Sequence, residues 1–218
     1  MSPENTTSKS KRRVYVYYDG SNFYHYLKNI YGITNINFYD LSNKLIDSSK
    51  KEIIEIKYFN CPLSQNEYPE EYRKQQRFFQ HIRDTPLTSL FLGRLAKRNL
   101  QKLHINCKKC GHQLSETLIC PQCKKKIKIA RCFRYVEKGV DVKLATHLLL
   151  DAIDDKYDTA LLVSNDADFS PATNYIIYRL KKEVVYCHFP DSQTRELLEN
   201  CSSARVITEK IVKKSRVK

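Results

Sequence analysis

The sequence predicts an α/β fold built on a mostly parallel sheet covered on both faces. Apolar, β-branched or aromatic runs alternate with stretches of helical periodicity along nearly the whole chain, the pattern of repeated strand–helix–strand units. Two of those runs, VYVYYDGSN (14–22) and TALLVSNDADF (159–169), stop abruptly at aspartate. The one break in the rhythm, residues 97–130, carries two Cys-x2-Cys pairs and reads as an insertion. At 218 residues the chain suits one domain of ordinary size, over residues 14–209, with that insertion inside it.

Taken in order, residues 1–13 are polar, basic and aperiodic, and read as a flexible tail. Val14–Tyr18 reads as a buried strand and Asn22–Ile30 as a helix after the DGSN turn. Glu52–Phe59 is apolar at Ile54, Ile56 and Tyr58 and reads as the second strand. The spacing of Tyr72, Gln76, Phe79 and Ile82 predicts a helix over Pro69–Arg83. A short strand near Leu90–Leu95 leads into the insertion, and Ala130–Val136 returns from it. Val142–Ile153 is strongly helical, with Ala145, Leu148, Leu149 and Ala152 at i, i+3, i+4, i+7. Thr159–Ser164 is a buried strand, and Ser170-Pro171 opens another helix with serine as N-cap and proline at the first helical position. Glu183–His188 is a strand, Gln193–Asn200 a short helix and Ala204–Ile207 a last strand. Residues 210–218 read as a basic C-terminal tail. No internal repeat is present.

The net charge of +14 is unevenly spread. Residues 1–13 hold +3, residues 210–218 hold +5 and residues 97–138 hold +10, while the remainder sums to −4. A charge run is often only a solvated face, but concentration in three blocks points to a polyanionic partner. No apolar run nears the ~20 residues of a membrane helix, and the N-terminus lacks the apolar stretch of a secretory signal. The expectation is an intracellular, cytoplasmic protein with no membrane partner.

The acids carry the chemistry. Carboxyl ends of parallel strands lie along one edge of a sheet, where ligand sites form. Asp19, Asp141, Asp166 and Asp168 can therefore converge although they are distant in sequence. Each alone could be a helix cap or turn residue; together, two of them in one SNDADF turn, they suit that reading less well. Crowded carboxylates raise one another's pKa unless a cation compensates them, and Mg²⁺ or Mn²⁺ is the natural hard partner. A dehalogenase-type phosphatase would need a second aspartate two residues before Asp19, where Tyr17 stands. No Gly-rich phosphate loop of nucleotide-binding form is present.

Cys107-x2-Cys110 and Cys120-x2-Cys123 supply four thiolates, the set for a closed, structural Zn²⁺ site. Two disulfides or a redox pair are the competing uses. Lys108, Lys109, Lys124, Lys125 and Lys126 would offset the −2 charge of a four-thiolate zinc and could grip phosphates. The bland alternative is a clip that merely closes a long insertion. Arg73, Lys74 and Arg77 on the Pro69–Arg83 helix, with Tyr17, Tyr18 and Tyr24 near the first motif, could guide a nucleic-acid strand. Cys61, Cys132, Cys187 and Cys201 sit singly and read as small buried hydrophobes.

Taken together, YYDGSN, EKGVDVKLAT and LLVSNDADFSPA resemble the NYN domain family, the LabA-like members of the PIN-like nuclease superfamily, from about Val14 to Ile207. The resemblance implies a Rossmann-like, three-layer α/β/α sandwich and an acidic pocket that binds Mg²⁺ or Mn²⁺. For many members it also implies cleavage of RNA to products ending in 5′-phosphate. On this resemblance Asp19, Asp141, Asp166 and Asp168 are the catalytic and metal-binding acids. Asn22 is the polar residue of the first motif and would orient a water or a substrate phosphate. RNA, single-stranded or structured, is the expected partner, and DNA stays open. The sequence departs at one place: relatives often read LATD where this chain has Leu144-Ala145-Thr146-His147. His147 is then an ordinary helix residue, or a ligand that draws the site toward softer ions. A non-catalytic RNA-binding or scaffold module that retains the acidic pocket is the rival to a ribonuclease.

Overall fold

The computed structural model describes residues 10–99, 109–110, 117–128 and 133–217. Its centre is a six-stranded sheet: β1 (Arg12–Asp19), β2 (Lys51–Asn60), β3 (Thr88–Leu92), β8 (Thr159–Val163), β9 (Glu183–His188) and β10 (Ser203–Val206). All neighbours in it pair in parallel, in the order β10-β9-β8-β1-β2-β3. Alternation along β1 divides the core. Val14, Val16 and Tyr18 face one layer; Tyr15 and Tyr17 face the other. The first layer holds α1 (Gly20–Tyr26), a π turn (Leu27–Tyr31), α2 (Phe38–Leu45), α3 (Pro69–Asp84) and α7 (Glu209–Lys214). The second holds α4 (Val140–Ile153), α5 (Ser170–Tyr178) and α6 (Arg195–Asn200). The α/β/α sandwich is as expected.

Three expectations are corrected. The alternation proposed for β2 fails at Ile54, which a bulge in the β1–β2 register leaves exposed, so Ile53 takes the core position instead. Of the expected tail 210–218, residues 210–217 are folded: Thr208 caps α7, Val212 is buried, and the Ser215 carbonyl accepts from Asn37 N–H at 2.8 Å. Arg12 and Arg13, placed with the N-terminal tail, belong to β1, and Arg13 bonds Asp158 through its backbone at 2.7 Å and its guanidinium at 2.8 Å. Helix α2 was not expected. Phe38, Leu41 and Leu45 bury one side of it, and Asn37 caps it.

The Leu90–Leu95 segment divides at Gly93 between the sheet and an antiparallel stem. That stem pairs β4 (Arg94–Asn99) with β7 (Phe133–Lys138), from Arg94 opposite Lys138 to Asn99 opposite Phe133. Gly93 donates to Asn60 O at 2.7 Å, and a Cβ there would meet Val140 Cγ2 at 2.6 Å. Beyond the stem, β5 (Thr117–Ile119) and β6 (Lys126–Lys128) form a second antiparallel pair. The insertion is thus rooted at the carboxyl edge of the sheet, where β3 ends and α4 begins.

Gly20 follows Asp19 directly, and a Cβ there would stand 2.5 Å from the Phe59 carbonyl oxygen and overlap the Tyr58 ring. Both neighbours belong to the sheet and its core, so neither can yield cheaply. Gly20→Ala should lower unfolding stability by roughly 1–3 kcal/mol, the cost of forced overpacking, read as a lower urea midpoint with unchanged slope.

Candidate active site at the switch point of the sheet

The chain leaves β1 toward β2 through the first helical layer, and reaches β8 on the other side of β1 through the second. Strand order therefore reverses between β1 and β8, the position where open α/β sheets form a crevice at their carboxyl edge. Asp19 ends β1, Asp166 and Asp168 follow β8, and Asp141 lies in the first turn of α4.

Asp19 is 2 % exposed and anchors the group. Its Oδ2 accepts from Asn22 Nδ2 at 2.6 Å and from Ser164 Oγ at 2.8 Å. Ser164 Oγ also accepts from Asp166 N–H at 3.1 Å, and Asp166 Oδ1 accepts from Asp168 N–H at 3.0 Å. One chain of hydrogen bonds thus joins the first motif to the third. Burial pushes the Asp19 carboxyl up, the bonds from Ser164 and Asn22 oppose this, and the charge of Asp166 adds to it. Asp141 is pushed up by burial and then by Asp19, Asp166, Glu137 and Asp168 in turn. The four aspartates singled out in the sequence lie within electrostatic reach of one another.

Glu137 is the acid that sequence reasoning missed. It sits on β7, opposite Leu95, and both its carboxylate oxygens accept from Ser21 Oγ, at 3.0 and 3.2 Å. It stands within the EKGVDVKLA segment, but its place depends on the register of the stem, which no local pattern states.

Among the described residues none of these five carboxylates pairs with a lysine or arginine. Elsewhere the buried and half-buried acids are compensated: Asp151 by Lys57 and Lys156, Asp158 by Arg13, Glu183 by Lys51. The side chains of Asp141 and Asp168 accept no hydrogen bond from the described residues, so their lone pairs are open to solvent or a ligand. No three His, Cys, Asp or Glu side chains among the described residues stand close enough to clasp one ion. The donor set still suits a hard divalent cation. Mg²⁺ is commonly held by one or two carboxylates while it keeps several waters, so the remaining acids would act through water.

Residues 13–208 match the family model described as "NYN domain". The chain belongs to the NYN domain family. Its fold is also similar to a crystal structure of a protein of unknown function from Vibrio parahaemolyticus, at 18 % identity and a TM-score of 0.57, covering 93 % of this chain and 96 % of that one. At that identity the likeness concerns the fold alone. No curated protein matches the chain significantly. Among the described residues of this NYN domain, no helix is long and apolar enough to cross a membrane.

His147 stands away from the acids that bear on Asp141. Its ring centroid lies 4.3 Å from that of Phe91 and 5.5 Å from that of Phe59, and Nδ1 is 3.5 Å from Lys57 Nζ. Burial and then Lys57 push its pKa down. The reading of His147 as an ordinary helix residue fits this setting. Asn165 serves its turn: its side chain accepts from Tyr186 Oη at 3.1 Å and its carbonyl from Thr194 Oγ1 at 2.5 Å. Tyr17 and Tyr18 are wholly buried and belong to the core, whereas Tyr24 is half-buried.

Arg73, Lys74 and Arg77 are exposed on α3. In the NYN domain's insertion, Cys107 and Lys108 lie outside the described residues, while Lys109, Cys110, Lys124, Lys125 and Lys126 are exposed. Cys120 and Cys123 form a tight turn: Cys123 N–H points to Cys120 Sγ at 3.5 Å, Lys124 N–H donates to Cys120 O at 2.9 Å, and Lys124 has φ +57°. The Cys123 N–H, the Cys123 side chain and the Gln122 N–H lower the Cys120 thiol pKa. Cys61 and Cys187 are buried as expected, with thiols pushed up to about 11 and about 12 by burial. Cys132 lies outside the described residues.

Proposed function

We propose that this NYN domain is a metal-dependent ribonuclease that hydrolyses RNA phosphodiester bonds at the Asp19–Asp141–Asp166–Asp168 pocket. The observation that carries the reading is a cluster of carboxylates at the switch point with no lysine or arginine ion pair among the described residues, in a fold that neutralises its other buried acids. Asp19, Asp166 and Asp141 would hold Mg²⁺ or Mn²⁺ directly or through its waters, with Asp168 as a further ligand or acting through one of those waters. When bound, the ion supplies charge neutralisation, polarisation of a phosphate oxygen and activation of the attacking water.

The chain's own groups do the positioning. Asn22 and Ser164 fix the Asp19 carboxylate through the 2.6 and 2.8 Å hydrogen bonds they donate. Asp141 and Asp168, exposed at the rim, are acceptor-only groups that orient water by taking its hydrogens. Glu137 extends the acidic rim onto the stem of the insertion.

The insertion is read as a zinc ribbon, with Cys107, Cys110, Cys120 and Cys123 as ligands and its lysines as a grip on RNA phosphates. The Cys120–Cys123 turn supports this, because its N–H groups favour the thiolate that zinc requires. Thiols kept reduced for metal suit the cytoplasm. Metal analysis of the purified chain should find about one zinc per chain, and Cys120→Ser should lower that content severalfold. Full zinc retention in that variant would refute the four-thiolate site.

The spacing of the acids, too wide for three to clasp one ion, favours a second reading: an RNA-binding module without turnover. A labelled single-stranded RNA separates the two. Loss of the strand with Mn²⁺ or Mg²⁺, stopped by EDTA, supports hydrolysis; binding without loss under every condition supports the module.

A further inference from the structure

We infer that the seam between α1 and α3 is the track along which a single strand of RNA reaches the acidic pocket. This rests on the reading of the chain as an RNA-acting protein and adds the route and the strandedness of its substrate.

The seam joins a ring to free cations. Tyr24 lies two residues beyond Asn22, which bonds Asp19. Its half-buried ring packs against Phe78 of α3 at 6.1 Å between centroids, and the exposed Lys28 ammonium stands 5.9 Å from its centre. On α3, Lys74, Arg77 and Phe78 follow i, i+3, i+4 spacing, and Arg73 sits one turn before Arg77, so the three bases flank the Phe78 contact. Lys28, Arg73, Lys74 and Arg77 are all exposed, and none has a carboxylate partner among the described residues. Arg12, Arg13, Lys51, Lys57, Lys156 and Lys182, near the other edge or inside the fold, are all in ion pairs. Positive charge is therefore left uncompensated on the seam, beside an aromatic ring and the entry to the pocket. That combination fits a strand whose bases stack and whose phosphates need neutralising. A duplex has no free base face to offer Tyr24.

The test is fluorescence anisotropy of the full chain with a labelled single-stranded RNA in buffer freed of Mg²⁺ and Mn²⁺ without a chelator, where no cutting that depends on those ions occurs. Tyr24→Ala should weaken binding about tenfold or more, and Tyr24→Phe should bind as the parent does. Because Tyr24 packs on Phe78, a second variant carries the test independently of folding. Lys28→Gln, Lys74→Gln and Arg77→Gln combined change only exposed side chains. That triple variant should flatten the slope of log affinity against log salt by about 2, at ~0.7 per lost phosphate contact. An unchanged salt slope in the triple variant overturns the track. Duplex RNA bound as tightly as the single strand, with the same loss in Tyr24→Ala, overturns the stacking. The readout is separate from cleavage: binding along the seam without cutting sinks only the nuclease reading, and metal-dependent cutting without these losses sinks only the track.

Discussion

Asp19→Asn should lower metal-dependent RNA cleavage by roughly 10²–10³-fold, the size of effect expected when one preorganised electrostatic group is removed from a site. The substitution keeps the size of the side chain and an oxygen that can accept from Ser164 and Asn22, so the fold should persist. What it removes is the charge at the centre of the pocket. Cleavage of a labelled RNA in Mn²⁺, with far-UV circular dichroism to verify folding, reads both. A folded variant that cuts at the parent rate would remove Asp19 from the chemistry.

The largest expected effect on stability lies away from the acidic pocket. Lys57 and Asp151, 5 % and 3 % exposed at their side chains, pair at 2.5 Å, and Tyr17 Oη donates to the same carboxylate at 2.8 Å. Removing one member leaves the other charge buried with too few partners. Asp151→Ala should therefore cost about 3–5 kcal/mol of unfolding free energy, whereas Lys57→Met with Asp151→Leu should cost less than the single change. Urea unfolding of the parent, both single variants and the double variant measures this; a double loss equal to the sum of the two single losses would show the pair to be uncoupled. Burial opposes ionisation of Asp151, but Lys57, Tyr17 and Lys156 outweigh it and hold the carboxyl below its usual range. A lowered folded pKa means the unfolded chain binds the proton more readily. This contribution is fully present above the unfolded value of about 3.9 and is lost as pH falls through the folded one.

Much of the fold could be read in the sequence because local pattern determines it. The strand runs that stop at Asp19 and Asp166 lie side by side at the switch point, and the Ala145–Leu148–Leu149–Ala152 spacing belongs to an α4 that packs beneath them. What escaped depends on contacts between distant segments. Helix α7 is outwardly basic and is held by Val212 and Ser215 against the Asn35–Asn37 segment, a contact invisible in a lysine-rich stretch. Glu137 reaches the acids only through the antiparallel register of β4 and β7. Lys57 lies in β2 on the face that carries Phe59, where alternation argues for an apolar residue. Asp151, 94 positions later, explains it, with Glu55 as a second, longer partner. The bulge that leaves Ile54 exposed and buries Ile53 depends on pairing with β1, which the alternation within β2 does not state.

The proposed ribonuclease needs the carboxylates at the ends of β1 and β8 to share a hard divalent ion. The decisive measurement is calorimetric titration with Mn²⁺ of the chain freed of Mg²⁺ and Mn²⁺. Binding should saturate in the parent chain, disappear in Asp19→Asn and be competed by Mg²⁺. Absence of binding in the parent, or identical binding in Asp19→Asn, would contradict it.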